Sequence, residues 1–248
     1  MHTPWKHNGL KKWFDDAGNL TEKKIHNKLY TGLGAAVELS RAAIKHGITI
    51  DEAFSPWESR EFEGCVFYVL SPTASFYDSL LPDFNATPGS GSVDRGSRLE
   101  PTGRMLPAAL GRLTAEGETS AENESSIILL IYMKEKDRYV LLTSDGGRLA
   151  LQDACVRLFK MKIDPGKIDL IQVPHHGSVQ NLTPAILDFV CASSSLEGQG
   201  LFLKKAIASV SHNADVHHPA DVVRNEFLRR GVKFTQTSGS TKWFSYGV

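Results

Sequence analysis

From residue 126 onward the chain switches regularly between short apolar runs and helical spacings. The stretches SIILLIYMK (126–134) and DRYVLLTSD (137–145) predict two adjacent strands joined by a tight polar turn. A helix follows, with Leu151, Ala154, Cys155 and Leu158 on one face. IDLIQVP (168–174) predicts a buried strand, residues 184–190 a helix, and KAIASVS (205–211) another strand. The next helix is expected to open at Pro219, which suits a first helical position, and to end at Gly231. VKFTQT and KWFSYG predict two short closing strands. Upstream, LYTGLGAAVELSRAAIKHG carries Leu29, Leu33, Val37 and Ile44 at helical spacing, and Gly47 suits its end. CVFYVLSP (65–72) predicts a strand closed by Ser-Pro. Alternating helices and strands, with the strands expected to be buried on both faces, indicate a layered α/β fold without internal repeats.

Between residues 82 and 125 the pattern breaks. DFNATPGSGSVDRGSRLEPTGR and TAEGETSAENESS are rich in Gly, Ser, Thr, Pro and charge. We expect one domain over 1–248 with a loop insertion at 84–122, containing a short helix at MLPAALGRL. So polar a segment cannot offset its ordering entropy by burial.

Composition narrows the classes. The chain has 248 residues, 41% of them hydrophobic, enough for a substantial core. Its 28 basic residues balance 28 acidic ones, so bulk charge gives nucleic-acid binding no help. A local basic patch at Arg229 and Arg230 is one expectation. The 3 cysteines, Cys65, Cys155 and Cys191, are scattered, which favours reduced thiols and a cytoplasmic protein and disfavours a Cys-rich zinc module. The apolar run at 127–133 is too short to span a bilayer, and no apolar signal stretch opens the chain, so no membrane segment is expected.

Ligand-type side chains collect where strands end. Asp145 follows one strand, His175 and His176 a second, and His212, His217 and His218 a third. Strand ends on one edge of a layered sheet converge, and sites are built there. A carboxylate and imidazoles are suitable ligands for zinc, manganese or iron.

These segments carry a resemblance. Asn123-Glu124-Ser125-Ser126 before IILLI, Leu142-Thr143-Ser144-Asp145, Pro174-His175-His176-Gly177-Ser178, and Ser209 or Ser211 with Asn213 and His218-Pro219 resemble motifs of the metallo-β-lactamase-like domain of the ComEC competence proteins. FTQTSGS, and upstream Leu70-Ser71-Pro72, are similar to further parts of that family. The likeness covers about 123–246. It implies an αββα sandwich holding metal at one edge, and an N-terminal His-x-His-x-Asp-His motif followed by Gly-Leu. Laid under that motif, HTPWKHNGL puts His2 and His7 on two histidines and Gly9-Leu10 on Gly-Leu. Pro4 falls where a histidine belongs, and Lys6 where the aspartate belongs. Proline offers no side-chain donor.

The resemblance therefore implies one ion or none rather than two, zinc or manganese, drawn from His2, His7, Asp145, His175 and His176. Either His175 or His176 could be the ligand, and Lys6 beside Asp145 could stand in for the metal's charge. The implied activity is metal-assisted hydrolysis of phosphodiesters or DNA. Asp145 would hold the metal and orient its water, His218 or Ser178 would contact the substrate or its leaving group, and Asn213 would lie on the substrate side. The alternative is a degenerate, non-catalytic domain that binds a protein partner or nucleic acid. A weaker third reading is a hydrolase of small esters or lactones. Because the family places strands before the His-rich motif, this chain is expected to lack its N-terminal strands, with a partner or a missing N-terminal segment completing the sheet.

Overall fold

The computed structural model describes residues 38–56, 59–84, 113, 118–192, 204–211, 218–240 and 242. His2, Pro4, Lys6, His7, His212, Asn213, His217, all of KWFSYG but Lys242, and most of the 84–122 insertion lie outside the described residues. The described part is α/β. Residues 38–45 are helical (α1), and the next helices are α2 (Ala74–Leu80), α3 (Ala121–Glu124), α4 (Arg148–Lys160), α5 (Pro184–Val190) and α6 (Asp221–Arg229). The strands are β1 (Arg60–Phe62), β2 (Cys65–Ser71), β3 (Ile128–Met133), β4 (Arg138–Leu142), β5 (Ile168–Gln172), β6 (Lys205–Ala208) and β7 (Lys233–Gln236).

All 7 strands form one sheet in chain order. β1 to β4 pair antiparallel, and β4 to β7 pair parallel. Each parallel step returns through a helix: α4, α5, then α6. The strand order never reverses, so crossovers of the usual right hand deliver these helices to one face. That face is the core. Ile128, Leu130, Leu141, Ile168, Ile171 and Ala206 are at most 2% exposed. Against them pack Ala150, Leu151, Ala154 and Leu158 of α4, and Val223 and Phe227 of α6.

Of the two faces expected to be buried, one is buried more completely than the other among the described residues. Leu129, Ile131, Val140, Leu142, Leu170 and Ile207, on the opposite face, are only half-buried. Long apolar runs look alike in sequence whether one face or two are covered.

Other boundaries shift for identifiable reasons. α6 starts at Asp221, not at Pro219: Ala220 takes the N-cap place with extended backbone, and Pro219 packs against Gly177 instead. The predicted insertion ends inside α3, whose Ser120 cap accepts from Asn123 N–H, and it returns Leu113 to the core. β1 and α2 were not anticipated. The first is a hairpin partner of β2 across Glu63-Gly64, both at positive φ, the backbone that a tight two-residue turn requires. The second begins where the Thr73 hydroxyl accepts from Phe76 N–H, a capping signal legible in SPTASF. Arg229 and Arg230 do not form a basic patch. Both engage the buried Glu226 carboxylate, and Arg230 also pairs with Asp188 at 2.6 Å. Cys65, Cys155 and Cys191 are free thiols, and burial pushes Cys155 up to about 12 and Cys191 up to about 11. Among the described residues no helix is long and apolar enough to cross a membrane.

Candidate functional site

The topology decides which chain ends meet. β3 runs antiparallel to β4, so the segment entering β3 lies beside the segment leaving β4. β5 and β6 run parallel to β4, and their exits follow on the same edge. That edge gathers Asn123, Asp145, His175, His176, Ser209 and His218.

The two central loops are built on unusual backbone. Ser144, His175 and His176 have φ of 49°, 44° and 56°, followed by Gly177 at 91°. Non-glycine residues in this left-handed region cost of order 1–3 kcal/mol each and persist only where surroundings hold them. The holding contacts are specific. Gln172 Oε1 accepts from the N–H groups of both Thr143 and Ser144 at 3.0 Å. The Thr143 hydroxyl donates to Gln172 O at 2.8 Å, and the Ser144 hydroxyl to Ile127 O at 3.0 Å. His175 N–H donates to Ser144 O, tying one strained loop to the other. Asn181 Nδ2 donates to the carbonyls of Asp145 and Gly146, both at 3.0 Å. Gly177 is needed twice over: for its φ, and because a Cβ would stand 2.5 Å from Pro219 Cβ.

The side chains follow. His176 Nδ1 lies 2.5 Å from Ser209 O. A carbonyl only accepts, so Nδ1 carries the proton, and Nε2 of the neutral ring keeps its lone pair. That Nε2 lies 4.0 Å from Asp145 Oδ1, too far for a hydrogen bond. About half of each of these two side chains faces solvent. Asn123 Nδ2 lies 2.9 Å from His175 Nδ1 and donates to it, which puts the proton of the neutral His175 ring on Nε2. The two adjacent histidines are thus set in opposite tautomers by their neighbours. His218 completes the group: its ring centroid is 6.0 Å from that of His175, and its buried Nδ1 has no partner among the described residues. Ser178 caps the following turn, its hydroxyl accepting from Gln180 N–H at 3.3 Å.

Asp145, His175, His176 and His218 are therefore brought together, with Ser178 on the same loop. His2, His7 and Asn213 lie outside the described residues. Among the described residues no group of three or more His, Cys, Asp and Glu side chains is arranged to hold a metal ion. The donors that do face each other are His176 Nε2 and Asp145. The fixed His176 tautomer is the kind a metal ligand needs, because the hydrogen bond on one ring nitrogen orients the other.

Several positioning residues escaped the sequence reading: Gln172, Asn181, Glu124 and Arg148. Glu124 is buried at the start of α4, accepting from Ala150 N–H at 2.7 Å, Leu149 N–H at 3.2 Å and the Thr119 hydroxyl. A carboxylate there balances the helix dipole and fixes where α4 leaves the Asp145 loop. The Asn-x-x-Ser segment pointed to Asn123, but nothing in it named His175 as its partner. No family model, no curated protein and no solved structure matches this chain.

Proposed function

We propose that this chain is a metal-dependent hydrolase, similar to the metallo-β-lactamase-like domain of ComEC, acting on phosphodiesters such as DNA. The αββα sandwich of that family is part of the proposal. The sheet edge supports the reading, and one observation carries it: a strained His175–His176 pair presents a bare His176 Nε2 toward Asp145. Strain sustained at two successive non-glycine residues belongs to sites where side-chain direction matters more than backbone comfort.

His176 and Asp145 would hold a zinc or manganese ion, with any further ligand coming from outside the described residues, where His2 and His7 lie. When bound, such an ion lowers the pKa of its water toward neutrality and supplies the nucleophile. The chain's own groups do the rest. Asp145 would accept a hydrogen bond from such a water and orient it. His175, fixed by Asn123, and its neighbour His218 would face the phosphate. Asn181 and Gln172 keep the two loops from relaxing.

Elemental analysis of the purified chain, with hydrolysis of bis(p-nitrophenyl) phosphate in added zinc or manganese, tests this. We expect one ion per chain or fewer, and a fall of about a hundredfold or more in rate for Asp145→Asn. Absence of metal-stimulated hydrolysis, or full activity in Asp145→Asn, overturns the proposal. Pro4 and Lys6, standing where the resembled motif has histidine and aspartate, favour a second reading: a non-catalytic domain that binds a partner. No metal uptake by the wild type, restored by Pro4→His with Lys6→Asp, selects it.

A further inference from the structure

His175 and His176 stand side by side at the strand edge, their ring centroids 5.7 Å apart and their planes at 58° to one another. Proximity alone does not decide which of them can take a metal. Hydrogen bonds do, and the deciding one comes from Asn123.

Asn123 lies in α3, a single helical turn whose backbone is tied on both sides. Its N–H donates to the Ser120 hydroxyl at 3.3 Å, and its carbonyl accepts from Gly147 N–H and Ser126 N–H, both at 3.1 Å. Gly147 is the N-cap of α4, two residues after Asp145, so Asn123 is pinned to the Asp145 loop. His175 is held as firmly. Its N–H donates to Ser144 O at 3.1 Å, and its carbonyl accepts from Ser178 N–H at 3.0 Å. Between two fixed backbones, the 2.9 Å contact of Asn123 Nδ2 with His175 Nδ1 is imposed by the fold.

An amide nitrogen only donates, so His175 Nδ1 supplies a lone pair, and the proton of its neutral ring stays on Nε2. Neither nitrogen can then ligate: one lone pair is engaged, and the other position carries hydrogen. His176 is the reverse case. Ser209 O holds its proton on Nδ1, leaving Nε2 bare toward Asp145. Among the described residues the edge then offers two ligating side chains, His176 and Asp145, and no group of three is found there.

We infer that Asn123 is a positioning residue that divides the pair: it keeps His175 a hydrogen-bond donor outside the metal's coordination, so that His176 alone of the two ligates. The ligand half of this inference rests on the hydrolytic reading; the proton positions do not.

Nitrogen-15 NMR of the imidazole rings of the full chain, with and without zinc, tests it. Without metal, His175 should show its proton on Nε2 and His176 on Nδ1. Zinc should move the Nε2 resonance of His176 and leave the His175 tautomer unchanged. Asn123→Asp, whose carboxylate only accepts, should carry the His175 proton to Nδ1. Asn123→Leu, which has no polar group, should leave a mixture of the two tautomers. In calorimetric titration, His176→Gln should weaken zinc binding by about tenfold or more, and His175→Gln should change it by less than about threefold. Should the Asn123 variants fail to fold, the wild-type spectrum and the two histidine variants still decide. A proton on Nδ1 of His175 in the wild type, a His175 tautomer unmoved by both Asn123 variants, or an equal loss of zinc in the two histidine variants overturns the inference and leaves the metal site standing. No zinc uptake by the wild type overturns the hydrolytic reading and the ligand assignment together.

Discussion

The helix-covered face of the sheet and the strand edge beside it are built by opposite means. On the covered face Leu130, Leu141, Ile168 and Ile171 meet α4 and its neighbours, and each is held by many weak contacts with no single partner. On the edge, each loop depends on a few directional bonds: Gln172 to Thr143 and Ser144, Asn181 to Asp145 and Gly146, Ser209 to His176. The face gains its stability from area. The edge spends stability on left-handed backbone at Ser144, His175 and His176, and what it obtains is direction. Substitutions should therefore separate the two regions: losses of stability on the face, losses of function on the edge.

The largest expected effect is on the face. Leu141→Ala, at a position 2% exposed, should lower unfolding free energy by about 2–5 kcal/mol in chemical denaturation, whatever it does to the edge. A loss below about 1 kcal/mol would mean that the core is looser than its burial indicates.

Gly147 joins the two regions. A Cβ there would stand 2.2–2.6 Å from the Glu124 carboxyl group, which the first turn of α4 holds in place. Gly147→Ala should cost about 1–3 kcal/mol by overpacking. Adding Glu124→Ala should recover part of that cost, so the double variant should be less destabilised than the sum of the singles. Strict additivity would show that the carboxylate is not the obstacle.

Lys204 sharpens the comparison from the far edge of the same sheet. Its ammonium donates to Pro165 O, Val190 O and Ala192 O at 2.7–2.9 Å, joining the end of α5 to the turn before β5. Burial lowers its pKa from 10.5 to about 8. Between those values the unfolded chain keeps a proton that the folded chain has released, so this group adds stability as pH rises through that window. Denaturation of the wild type against Lys204→Met, from pH 7 to 10, should show the wild type gaining relative to the variant. A flat difference would mean that the three carbonyls hold the proton against burial.

The smallest change in stability belongs to the edge. Asp145 and His176 are about half-exposed and 4.0 Å apart. Asp145→Asn should move unfolding free energy by no more than about 0.5 kcal/mol, and His176→Gln, which gives up the bond to Ser209 O, by about 0.5–1.5 kcal/mol. The same substitutions should remove most of any metal-stimulated hydrolysis. A large stability loss here would place these side chains with the structural residues.

Much of this was legible because it is local. The runs at 128–133, 138–142, 168–172 and 205–208, and the helices between them, stand within a few residues of where period and punctuation put them. The strand-then-ligand rhythm put Asp145, His175, His176 and His218 at strand ends, and the structure places them there; His212 and His217, marked by the same rhythm, lie outside the described residues. The bonds across the edge were not legible. Asn123 to His175 spans 52 residues, and Asn181 to Asp145 spans 36. A polar residue in a loop carries no mark of the distant carbonyl or ring it will meet. Pro219 misled for the same reason: alone it suits a helix start, but contact with Gly177 gave it another place.

By itself the sequence determined most of the elements from residue 126 onward, their alternation along the chain, and the residue types available at each strand end. Local preferences and hydrophobic periodicity act over a few residues and need no knowledge of the rest of the chain. Only the tertiary structure decided that, among the described residues, helices bury one face of the sheet more completely than the other, that Arg229 and Arg230 engage Glu226 and Asp188, and that two adjacent histidines take opposite tautomers. Each of these depends on which groups meet across long separations, and the proton on His176 is placed by a carbonyl 33 residues away.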